Sequence, residues 1–118
     1  MFEKNLNLSL LLDFYGDVLS ERQKDMLDMY YNDDFSLSEV ADAFSISRQG
    51  VRSVLKKGEN ILFEMEDKLH LAKRFLDMKV KSSEIADQLE KINEEINDDC
   101  ISSKIHILIK EIKEMADL

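Results

Sequence analysis

Proline and tryptophan are missing from this 118-residue chain, cysteine occurs once and glycine only three times. With glycine confined to Gly16, Gly50 and Gly58, the residues that most often break regular backbone are nearly absent. Leu, Glu, Lys, Asp and Ile fill the chain instead, so an all-α protein is expected, with 44% apolar residues to supply its core. The lone Cys100 leaves no partner for an intrachain disulfide, in keeping with a cytoplasmic location. His70, Cys100 and His106 lie too far apart for a zinc spacing, and no metal site is expected. No strand is credible, so no glycine-rich phosphate loop can follow one. The carboxylates are spread over helix faces. The chain is therefore expected to have no catalytic residues, no enzyme activity and no cofactor.

Long hydrophobic runs are lacking too. The opening MFEKNLNLSLLLDFYGDVL has no basic start and no small-residue cleavage site, and Asp13 and Asp17 interrupt it well short of a membrane span. It is read as neither a signal peptide nor an anchor, and no membrane insertion is expected. Leu8, Leu11, Leu12, Tyr15 and Leu19 recur instead at helical spacing, as a buried stripe does. Ser20 followed by Gln23 forms a capping box that opens the next helix. In that helix Gln23, Met26, Leu27 and Tyr30 share a face, and Asn32-Asp33-Asp34 ends it.

Residues 36–58, SLSEVADAFSISRQGVRSVLKKG, have the pattern of a helix-turn-helix. Ser36 with Glu39 makes a second capping box, and Ser47 offers an N-cap to a helix that begins at Arg48. Counting from Leu37, apolar residues occupy the fourth, eighth, tenth, fifteenth and eighteenth places: Val40, Phe44, Ile46, Val51 and Val54. Small Ala41 holds the fifth place, where the two helices must cross closely. Ser45 stands at the turn position usually given to glycine, a departure a serine can tolerate because it stabilises turns locally.

At roughly 100° per residue, Arg48, Gln49, Arg52, Ser53 and Lys56 share one face of the second helix, spanning about 140°. Val51, Val54, Leu55, Ile61 and Leu62 share the other, with Gly58 among them. A recognition helix needs this division: Arg and Gln reach base edges near its start, and Lys or Arg neutralises phosphate. The candidate nucleic-acid contacts are Ser47, Arg48, Gln49, Arg52, Ser53, Lys56 and Lys57. The plainer alternative is a solvated surface helix within an all-α bundle.

The stretch LSERQKDMLDMYYNDDFSLSEVADAFSISRQGVRSVLKKGENIL resembles region 4 of bacterial sigma-70-type factors, a helical domain that reads promoter DNA. With NLNLSLLLDFYGDVLSERQ ahead of it, the resemblance narrows to the YlxM family over roughly residues 3–70. Those are small bacterial helix-turn-helix proteins associated with the signal recognition particle pathway. The resemblance implies a nucleic-acid-binding, regulatory role and a part in that pathway. The sequence departs from the family pattern inside the recognition helix, where Gly50 and Arg52 stand in place of Ala and an aromatic residue.

Charge is unevenly distributed. Residues 1–35 carry eight acids against three bases, and residues 61–118 fourteen against nine, so each segment is at −5. Residues 36–60 hold three acids and four bases, all four bases falling between Arg48 and Lys57 with no acid among them, and the whole chain stands at −9. A polyanion is thus expected to meet a small local patch on an otherwise repelling surface. The same balance suits an adaptor that docks on proteins through its acidic faces, modulating the signal recognition particle or its receptor without touching DNA.

The expected division is a helix-turn-helix domain without a wing over residues 1–60 and a helical extension over 61–118. Leu62, Met65, Leu69, Ala72 and Leu76 prolong the stripe of the recognition helix. Ser82-Ser83 are placed at the cap of a new helix, in which Ile85, Leu89, Ile92 and Ile96 step by 4, 3 and 4. After Asn97-Asp98-Asp99, Ile101, Ile105, Leu108, Ile112 and Met115 step by 4, 3, 4 and 3. Such seams pack along another helix, either as an intramolecular hairpin or as a self-association surface, and a homodimer is the expected state. His106 is expected on the hairpin surface. The partners expected are DNA or RNA, with components of the signal recognition particle.

Overall fold

The computed structural model describes residues 6–116. Among them are six α-helices and no strand: α1 (Leu6–Tyr15), α2 (Glu21–Leu27), α3 (Leu37–Phe44), α4 (Arg48–Leu69), α5 (Leu71–Glu94) and α6 (Asp99–Ala116). A 3-10 turn, Gly16–Val18, follows α1, and a π turn, Asp28–Asn32, widens the end of α2. None of these helices is long and apolar enough to cross a membrane. The chain divides into two compact units, Met1–Ala72 and Lys73–Leu118.

In the first unit α4 is the spine, contacting α1, α2 and α3. The expected stripe Leu8, Leu11, Leu12, Tyr15 and Leu19 is buried, as are Met26, Leu27, Tyr30, Val40, Ala41, Val51, Leu55 and Leu62. Gly58 is buried where α4 crosses α2, and a Cβ added there would stand 2.6 Å from Leu27 Cδ1. A side chain at that position would require Leu27 to shift.

Both capping boxes form. The Ser20 hydroxyl accepts the Gln23 amide at 3.2 Å while Gln23 Oε1 accepts the Ser20 amide at 3.0 Å. Ser36 and Glu39 exchange the same pair of bonds at 3.1 and 3.0 Å. Ser45 has φ 56 and ψ 43, the left-handed conformation that β-carbon sterics disfavour in any L-residue. Ser45→Gly is therefore expected to stabilise the protein by roughly 0.5–1 kcal/mol, read as a shift of the urea midpoint at unchanged slope.

α4 stops sooner than the apolar stripe running through it suggests. It ends at Leu69, His70 turns left-handed at φ 57, and Leu76 belongs to α5. The joint is held by side chains distant in sequence. Tyr15 Oη donates to Glu66 Oε1 at 2.6 Å and accepts the Leu71 amide at 3.1 Å. The Ala72 amide donates to the same Glu66 oxygen at 3.0 Å. Two of the orphan amides that open α5 are thereby satisfied, the work an N-cap serine does elsewhere. Burial is the main reason the Tyr15 phenol titrates above its ordinary range, the bond to Glu66 adding to it.

In the second unit Ser82 and Ser83 start nothing; they sit in the middle of α5, whose neighbours contain no glycine or proline to interrupt it. The break expected at Asn97-Asp98-Asp99 is present but falls earlier, with α5 ending at Glu94, Ile96 outside it and Asp99 already in α6. Asp98 Oδ1 accepts the amides of Cys100 at 2.9 Å and Ile101 at 3.1 Å, opening α6. Lys113 Nζ reaches back to Glu90 Oε1 at 2.7 Å, joining α6 to α5. Ala86 and Ile109 are buried, whereas Met78, Ile85, Ile92, Ile101, Leu108 and Met115 are exposed. His106 is exposed, as is the free Cys100.

Candidate nucleic-acid interface

Chain connectivity from α3 to α4 sets the geometry of the interface. The left-handed Ser45 turns the chain sharply, its amide bonding to Asp42 O at 3.3 Å and the Ile46 amide to Ala41 O at 3.1 Å. Ser47 is extended at φ −74 and ψ 159, and its Oγ accepts the Gly50 amide at 3.0 Å. Ser47 thus serves first as the N-cap of α4. Its hydroxyl proton remains available to an anion beside the positive end of the helix dipole.

All seven candidate contacts, Ser47, Arg48, Gln49, Arg52, Ser53, Lys56 and Lys57, are exposed. Arg48, Gln49, Arg52, Ser53 and Lys56 form one face along the first turns of α4. Lys57 is set apart on its flank, about 180° from Arg48. None of the four cations forms a salt bridge with another described residue. Beneath them Val51 and Leu55 are buried, so a rigid core supports the charged face. Gly50 packs closely over the cap: a Cβ there would lie 3.3 Å from Ser47 Oγ and 3.4 Å from Ile46 Cδ1. Arg22 of α2 lies over the Phe44 ring at 5.8 Å.

Three further residues share this face and were not picked out from the sequence: Glu59, Asn60 and Phe63. They continue the periodicity of Arg52 and Lys56, which was the signal available to find them. Together with Leu37, Arg52, Leu55 and Lys56 they line a groove of about 360 Å³. Glu59 is half-buried there, and the Tyr31 hydroxyl donates to its Oε1 at 3.0 Å. Burial raises the Glu59 pKa above its ordinary 4.5, against the lowering effects of the Tyr31 bond and Lys56. The same burial raises the Tyr31 phenol, with the Glu59 charge beside it adding to the shift.

A raised carboxylate pKa means that the folded state binds the proton more tightly than the unfolded chain. The resulting stabilisation is complete below the unfolded value and lost as pH rises through the folded one. Glu59→Gln keeps an acceptor for Tyr31 and removes the charge. Its stability relative to the parent is expected to be more favourable at pH 7 than at pH 4.5, as measured by urea midpoints at the two pH values.

No group of three or more His, Cys, Asp or Glu side chains among the described residues is arranged to hold a metal ion. The arrangement combines a capped helix N-terminus, an exposed cationic face and an adjoining groove.

Comparison with known proteins agrees with this architecture. The model of the family UPF0122, described as "Putative helix-turn-helix protein, YlxM / p13 like", matches residues 2–111. A UPF0122 protein of Acetivibrio thermocellus is 40% identical over 115 residues, covering 95% of this chain and 98% of the relative. One from Thermoanaerobacter sp. strain X514 is 39% identical over 110 residues, covering 93% and 94%. A third, from Halalkalibacterium halodurans, is 43% identical over 90 residues, covering 76% and 79%.

Proposed function

This chain belongs to the UPF0122 family of YlxM/p13-like helix-turn-helix proteins, and we propose that it binds nucleic acid through α4 as a regulatory protein. The observation that carries the reading is the exposed face of Arg48, Gln49, Arg52, Ser53 and Lys56 on a helix capped by Ser47, its cations free of salt bridges to other described residues. A major groove accepts such a helix by its N-terminal turns. Arg48, Gln49 and Arg52 are assigned to base edges, Lys56 and Lys57 to phosphates, and Ser47 to a phosphate at the helix end. The resemblance to YlxM proteins adds a part in the signal recognition particle pathway. Titration of the protein against random duplex DNA and against the particle's RNA, at two salt concentrations, tests both. Binding that weakens steeply with salt supports the reading, and no binding at low salt removes it.

A protein adaptor is the second reading, favoured by the net charge of −9. It prevails if the particle or its receptor binds the chain while neither nucleic acid does.

The chain is further proposed to act as a homodimer, as helix-turn-helix proteins commonly do on two half-sites. Support comes from the second unit. Met78, Ile85 and Ile92 repeat every seven residues on α5, and so do Ile101, Leu108 and Met115 on α6. All six are at least 40% exposed, and two such seams on two helices are a seat for another pair. Sedimentation at tens of micromolar is expected to give a dimer. A monomer there removes this part alone.

A further inference from the structure

The cationic face of α4 does not end in open solvent. Arg52 and Lys56 lead into the groove whose floor is the buried Leu55, whose far wall is Leu37 of α3, and whose end is Phe63, 47% exposed. Glu59 and Asn60 supply its polar rim. A duplex backbone is a poor occupant, because the Glu59 carboxylate would face phosphate. Beyond Phe63 the helix turns acidic: Glu64, Glu66 and Asp67 line a second, more open hollow with His70. Phosphates are therefore welcome only on the Arg52 and Lys56 side. What fits between the two is a flat, uncharged ring with polar edges, attached to a phosphate chain.

We propose that this groove holds one unpaired nucleobase, stacked on Phe63, whose flanking phosphate lies on Lys56. The proposal rests on the nucleic-acid reading and narrows its target to a duplex carrying a bulged or frayed base. Stacking on an exposed aromatic ring is the usual way in which proteins hold unpaired bases, at about 1–3 kcal/mol per base. The rim adds a preference. Glu59 Oε1 already accepts a hydrogen bond from the Tyr31 hydroxyl, and as a carboxylate the side chain can only accept. It therefore suits the exocyclic amino group of adenine or cytosine better than the O4 of uracil or thymine.

The test is fluorescence anisotropy with the full-length protein on three versions of one duplex: fully paired, with a single bulged adenine, and with a single bulged uracil or thymine. Each is made as DNA and as RNA, which identifies the natural source. The adenine bulge is expected to bind roughly 5–150-fold tighter than the paired duplex, the equivalent of one stacked base. Phe63→Ala is expected to lose that gain while holding the paired duplex as before, and Phe63→Trp to keep it. Glu59→Gln, which adds a donor to the rim, is expected to narrow the gap between the adenine and pyrimidine bulges. Equal binding of paired and bulged duplexes by the parent, or a bulge preference that survives Phe63→Ala, overturns this proposal and leaves the nucleic-acid reading standing. Failure of the parent to bind any of the duplexes at low salt overturns both.

Discussion

Leu27→Ala is expected to cost the protein about 2–5 kcal/mol of stability, the range for a fully buried leucine whose cavity collapses only in part. Leu27 is 0% exposed and lies under Gly58, where α2 meets α4. Gly58→Ala alone is expected to destabilise by on the order of 1 kcal/mol. The approach of 2.6 Å to Leu27 Cδ1 has to be relieved by moving a close-packed side chain, at about 1–3 kcal/mol. Alanine's better helix propensity returns about 1 kcal/mol of that. In the double variant the new methyl group enters the space Leu27 vacates, so the two changes together should cost less than their sum. Urea unfolding of the four proteins of the cycle measures it. Additive costs would mean that α4 does not rely on this crossing for its position.

The crossing also illustrates what the sequence does and does not reveal. The helix-turn-helix was legible because its signals are local: two serine caps, apolar residues at helical spacing, and a small residue at Ala41. Burial of the α1 stripe followed from periodicity alone. Gly58, by contrast, reads in sequence only as a helix-weakening residue on the apolar face, since nothing local says that Leu27 lies against it. The end of α4 at His70 was hidden for the same reason. The amides that open α5 just beyond it are capped by Glu66 and by Tyr15, 51 residues upstream of that glutamate. Ser82 and Ser83, with good capping chemistry, remain inside α5, because an N-cap serine acts only where the backbone already turns extended. At the interface, the cationic residues stood out by charge. Glu59, Asn60 and Phe63 did not, because their significance depends on Leu37 and Tyr31 being brought beside them.

The largest functional effect is expected from removing three cations together. Arg48→Ala, Arg52→Ala and Lys56→Ala in one chain should lower affinity for duplex nucleic acid by on the order of 100-fold or more, since a bidentate base contact contributes about 1–3 kcal/mol and each phosphate contact adds to it. The single changes separate the two roles. Arg52→Ala should weaken binding and relax specificity at one base position, whereas Lys57→Ala should weaken all sequences alike and reduce the salt slope by about one. None of these four side chains is buried, so thermal stability should hardly move. That makes the comparison decisive for function. The parent already carries −9, and the four bases between Arg48 and Lys57 have no acid among them. Residual binding at parental strength would mean that α4 is not the contact.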